Sequence, residues 1–136
     1  MSVITDNLEN MNRKRDMNLL KAIMLNAERS PAGQPITGFE YPDIEQVVVM
    51  DHVSMLVNDL DFLDGRIVLG AQGEPYACLI QRITNKGHDF IEYAMNDNIW
   101  NKVMAEINKQ AVPVSVGVVL AMLKHKTSEL LGLPKE

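Results

Sequence analysis

One segment of this chain reads as two consecutive strands, and it limits what the rest can become. Arg66-Ile67-Val68-Leu69 and the run from Tyr76 to Ile83 are separated by Gly70-Ala71-Gln72-Gly73-Glu74-Pro75. Glycines and a proline between two apolar runs are the punctuation of a hairpin. In the second run, apolar Cys78 and Ile80 alternate against polar Gln81 and Arg82. Most of the remaining chain repeats its apolar residues every three to four positions, the helical period.

The first helix is expected from Asp16 to Arg29, with Met17, Leu20, Ile23, Met24 and Ala27 on one face. Asp16 is a suitable N-cap, because its carboxylate can accept the free amides of the first turn. Ser30-Pro31-Ala32-Gly33 ends it, and Ile36 to Tyr41 reads as a short strand. A helical pattern follows from Asp43 to Leu60, read as a helical pair with a break near Asp51; its apolar positions are Val49, Val53, Leu56, Leu60 and Leu63. After the hairpin, Thr84 caps a helix to Met95 with Phe90, Ile91 and Ala94 inward. Gly87 allows that helix to pack closely on the sheet. A further helix runs to Gln110 with Ile99, Trp100, Val103 and Ile107 apolar, and Pro113 breaks it. Ser115 caps the last helix, which Gly132 and Pro134 end.

This order gives an α+β fold, mainly α: a winged helix-turn-helix with a two-stranded wing and a C-terminal two-helix extension. Residues 1–12 read as a flexible leader, 13–96 as the winged-helix domain, and 97–136 as the extension, packed on that domain or used for dimerisation. A chain of 136 residues, 46% apolar, suits a single domain with a core. The nine methionines read as core filling. The single cysteine, Cys78, permits no internal disulfide, which fits a reducing cytosol. No apolar run approaches the ~20 residues of a membrane span. Met1 to Met11 lacks the basic start and apolar centre of a signal peptide. The expected location is cytoplasmic, with no membrane partner.

Three stretches carry a family resemblance. They are Lys14-Arg15-Asp16-Met17-Asn18-Leu19, Asp51-His52-Val53-Ser54-Met55-Leu56, and Ile83-Thr84-Asn85-Lys86-Gly87-His88-Asp89-Phe90-Ile91 continuing through Asn96-Asp97-Asn98-Ile99-Trp100-Asn101-Lys102-Val103. Together they resemble a family of small bacterial and phage proteins, the domain of unknown function 2513, over about residues 13 to 125. The resemblance implies a winged-helix fold, a phage or prophage origin and hence a bacterial host cytosol. It implies no activity. This chain departs from the pattern by a longer leader and by a few extra residues between Ile36 and His52.

The residues offer little chemistry. His52 and His88 read as partly buried structural side chains, and His125 as lying on a solvated helix face. A lone cysteine cannot supply the paired ligands of a cysteine-based zinc site. Cys78, mid-strand among apolar residues, reads as inert. Gly70 to Gly73 has neither the spacing nor the Lys-Ser/Thr of a phosphate loop. No serine sits in a nucleophile elbow. The expectation is a protein that is not an enzyme, with no catalytic residues, no metal and no cofactor.

Recognition is the remaining function. A DNA-reading helix needs Lys and Arg to meet phosphates, and the net charge here is −5. From Ser30 to Gly65 there is no Lys or Arg, while Glu40, Asp43, Glu45, Asp51, Asp59, Asp61 and Asp64 fall there. These carboxylates form a candidate acidic face for a protein partner, such as a host factor or defence component that the chain inhibits or adapts. The alternative is a DNA-binding regulator using Arg13, Lys14, Arg15, Lys21, Arg66, Arg82 and Lys86. In the last helix Val116, Val119, Leu120, Leu123 and Leu130 form an apolar stripe, which packs internally or joins a homodimer.

Overall fold

The computed structural model describes residues 15–110 and 113–132; the expected leader, Arg13, Lys14 and Pro134 lie outside them. Five α-helices and one two-stranded sheet are present among these residues. The chain divides into two compact units, one ending at Gly87 and the other beginning at His88. The division falls inside a helix.

In the first unit, α1 spans Met17–Arg29. The Asp16 carboxylate accepts the N–H groups of Asn18 and Leu19 at 3.0 and 3.2 Å, satisfying donors that a helix start leaves open. The buried face is Leu19, Leu20, Ile23, Met24 and Ala27, with Met17 only half-buried.

The strand expected over Ile36 to Tyr41 reduces to one bridge. Ile36 and Ile80 exchange two backbone hydrogen bonds, at 2.9 and 2.8 Å. Pro35 has no N–H to give and Gly38 is a poor strand residue, so pairing does not spread. Phe39 turns into the core instead, and its carbonyl accepts the Gln46 side-chain amide at 3.1 Å.

The expected helical pair is a single helix. α2 spans Gln46–Ser54 and continues without a break at Asp51 into a π-helical turn, Met55–Asp59. No glycine or proline interrupts that stretch. A turn closed by the Ile44 N–H on the Tyr41 carbonyl, at 3.2 Å, precedes it. The wide turn ends with the Leu60 N–H on the Met55 carbonyl at 2.9 Å. Asp61 then reverses the chain at φ 56°, a left-handed conformation that aspartate tolerates better than most residues. Val49, Met50, His52, Val53 and Leu56 are buried, and α2 packs on α1 and the sheet.

The hairpin forms as expected, with β1 over Leu63–Leu69 and β2 over Pro75–Ile83, antiparallel. β1 therefore starts three residues earlier than its apolar run suggests. The register is irregular after Asp64 and after Val68. Gly65 sits at the first irregularity, where a Cβ would run into the Leu79 carbonyl oxygen.

Thr84 joins the hairpin to α3, Asn85–Ala94. Its hydroxyl donates to the Asp61 carbonyl at 2.6 Å and accepts the Gly87 N–H at 3.1 Å. A Cβ on Gly87 would run into the Phe62 carbonyl oxygen. The expected cap is thus present, and Gly87 sits where a side chain would not fit.

The second unit contains α4, Asp97–Gln110, and α5, Val116–Leu131, which pack on each other. Phe90 meets Trp100 edge to face, with ring centroids 6.1 Å apart. Asn96 caps α4 through the Ile99 N–H at 3.1 Å, and Ser115 caps α5 through the Val118 N–H at 3.2 Å. Gly132, at φ 71°, closes α5 in the left-handed geometry that favours glycine at a helix end.

Candidate interaction surface

The acidic residues surround α2. Glu40, Asp43 and Glu45 precede its first turn, Asp51 lies within it, Asp59 closes the π-helical turn, Asp61 follows, and Asp64 lies on β1. All are exposed except Asp51, which is half-buried. The helix and its π turn rise roughly 20 Å from Glu45 to Asp59, so the carboxylates gather at the two ends with Asp51 between. Glu45 makes no capping bond with its side chain.

Asp64 differs from the other six. It stands opposite Arg82 on β2, and its Oδ2 lies 3.1 Å from the Arg82 Nε. With both side chains more than half exposed, such a pair contributes at most about 1 kcal/mol. Its larger effect is to join one residue of the acidic set to one of the basic set. Of the other described members of that basic set, Arg15 is exposed before α1, Lys21 is half-buried on α1, Arg66 is exposed on β1, and Lys86 is exposed in the first turn of α3. None lies on α2. Arg15 and Lys21 have partners of their own.

The α5 stripe is mostly internal. Val116, Val119 and Leu123 are buried within the chain and Leu120 is half-buried, which leaves Leu130 as the one strongly exposed member, at 69%. Residues so buried cannot line a surface between copies without unpacking the unit.

The three histidines separate. His52 is fully buried; its Nε2 accepts the Asp16 N–H at 2.8 Å and its Nδ1 lies 2.8 Å from the Val48 carbonyl. Since a backbone N–H only donates, Nε2 is the acceptor and Nδ1 carries the proton. His88 is exposed, against the expectation of partial burial, because Gly87, Phe90, Ile91 and Ala94 take the inward side of α3. His125 is exposed, 3.7 Å from Glu129 one turn on. Cys78 is buried, and desolvation raises its thiol pKa, which disfavours the reactive thiolate. Among the described residues no three His, Cys, Asp or Glu side chains are placed to share a metal ion. No described helix is long and apolar enough to cross a membrane.

The reading from sequence missed the far end of the hairpin. Val68, Leu69 and Tyr76 are exposed there, Tyr76 at 71%. The signal was present: the apolar runs continue up to the turn residues.

A protein-family model described as "Hypothetical protein (DUF2513)" matches residues 14–113. The chain belongs to this family. The DUF2513 span takes in α1, α2, the hairpin, α3 and α4, and ends before α5. All the signature stretches quoted above, through Val103, fall within it. No curated protein and no solved structure matches the chain.

Proposed function

We propose that this DUF2513 chain is a non-catalytic, winged-helix-like module that binds another protein through the acidic surface around α2. The observation that carries the reading is one of charge. The helix nearest the wing is surrounded by seven carboxylates, six of them exposed, with no Lys or Arg from Ser30 to Gly65. A phosphate backbone is repelled by such a surface, whereas a basic protein is steered to it.

The winged-helix reading draws support from the sheet. In a winged helix the short first strand lies beside the last wing strand, and here Ile36 pairs with Ile80 of β2. One feature differs: the Tyr41–Ile44 turn stands where a helix-turn-helix has its extra helix. A phage-encoded inhibitor or adaptor of a host factor, acting in the bacterial cytosol, fits both the charge and the family resemblance.

The test reverses charge at Glu40, Asp43, Glu45 and Asp59 by substitution with lysine. Affinity capture from host lysate should yield a partner whose retention is lost in this variant. Capture that is indifferent to the reversal would remove the acidic surface from the account.

A further inference from the structure

We infer that the outer edge of β1 pairs with β1 of a second copy of this chain, making a two-fold dimer through the wing. Ile80 exchanges both its hydrogen bonds with Ile36, so its N–H and C=O point away from β1. In an antiparallel ladder, hydrogen-bonded and non-bonded pairs alternate. Gly65–Ile80 is then a non-bonded pair, Arg66–Leu79 bonded, Ile67–Cys78 non-bonded and Val68–Ala77 bonded, along the regular stretch of the register. Gly65 and Ile67 therefore direct their N–H and C=O groups outward, and no described residue pairs with that edge.

An open edge attracts another strand, and charge selects which one. Asp64 and Arg66 flank Gly65 and lie on the solvent face of β1. Antiparallel pairing about a two-fold axis at Gly65 sets each Asp64 opposite the Arg66 of the other copy. A shift of the axis to Arg66 would place like charges opposite one another, which is unfavourable. The exposed charges of the hairpin are Asp64, Arg66, Glu74 and Arg82, which sum to zero. The wing thus has no net charge to favour an acidic or a basic partner, and its pattern of signs complements itself. A self-complementary patch of this kind is what a two-fold interface requires.

The test is sedimentation velocity of the full chain across a dilution series, with circular dichroism to check folding. The wild type should show a concentration-dependent dimer. Arg66→Glu faces each Asp64 with a second carboxylate and should weaken self-association by at least ~10-fold. Ile67→Pro removes an outward N–H that the hairpin ladder does not use, and should abolish the dimer while the fold survives. A wild type that stays monomeric throughout, or a dimer that persists in folded forms of both variants, would overturn the inference. Should Ile67→Pro fail to fold, the exposed Arg66→Glu substitution decides alone.

Discussion

The backbone N–H of Asp16 donates to Nε2 of His52 at 2.8 Å, across a sequence separation of 36 residues. His52 in turn meets the Val48 carbonyl one turn back along α2. The imidazole is therefore a clasp. It fixes the residue that caps α1 to the last turn of α2, and both ring nitrogens are used. Replacing His52 with phenylalanine keeps the bulk and leaves the Asp16 N–H without an acceptor. The expected loss is about 1–3 kcal/mol in urea unfolding. An unchanged midpoint would mean that the clasp contributes nothing.

Two glycines separate steric need from helix propensity. Gly87→Ala forces a methyl group against the Phe62 carbonyl and the Ile83 side chain, and should destabilise by about 1–3 kcal/mol. Gly117→Ala, on α5, meets only the Ser115 hydroxyl at 3.7 Å. It should stabilise by roughly 0.5–1 kcal/mol, because alanine is the better helix former. Thermal unfolding of the two variants should shift in opposite directions.

Thr84→Val removes a donor to the Asp61 carbonyl and an acceptor for the Gly87 N–H without removing volume. The expected cost is about 1–2 kcal/mol, with faster hydrogen exchange at Gly87. Protection at Gly87 equal to the wild type would show that another group supplies the cap.

On α5, Leu123→Asp places a carboxylate at a fully buried position and should lose helical circular dichroism. Leu130→Asp, at an exposed position, should stay within about 0.5 kcal/mol of the wild type. A folded Leu123→Asp variant that merely changed oligomeric state would mean that the stripe faces a second chain.

Burial raises the Cys78 thiol pKa, so the native chain favours the neutral thiol more than the unfolded chain does. The resulting stability is fully present below the unfolded thiol's range, about pH 8.5, and is lost as the pH rises through the higher native value. Cys78→Ser, which has no thiol to ionise, should flatten the decline of stability on the alkaline side. Labelling of native Cys78 by a thiol reagent should be much slower than in urea.

Much of the architecture was legible because local chemistry agreed with the final contacts. Asp16, Thr84 and Ser115 cap where their side chains suggest, and the Gly70–Glu74 turn sits between the strands. The middle of the chain was less readable. Val49, Val53 and Leu56 repeat like a helix, but periodicity alone cannot show that one helix replaces two or that its end widens into a π turn. The Ile36 bridge depends on Ile80, which lies far along the sequence. Composition exposed the shortage of cations around α2. It could not show that Asp64 and Arg82, placed on opposing surfaces by charge, neutralise each other across one ladder pair.

The most direct test of the protein-binding reading is fluorescence anisotropy with mixed-sequence duplex DNA, stepped from low to physiological salt. The account predicts no binding by the wild type at any salt concentration, because the carboxylates around α2 repel phosphate. Binding that weakens steeply as salt rises is the signature of counterion release. It would contradict the account and make the chain a DNA-binding protein.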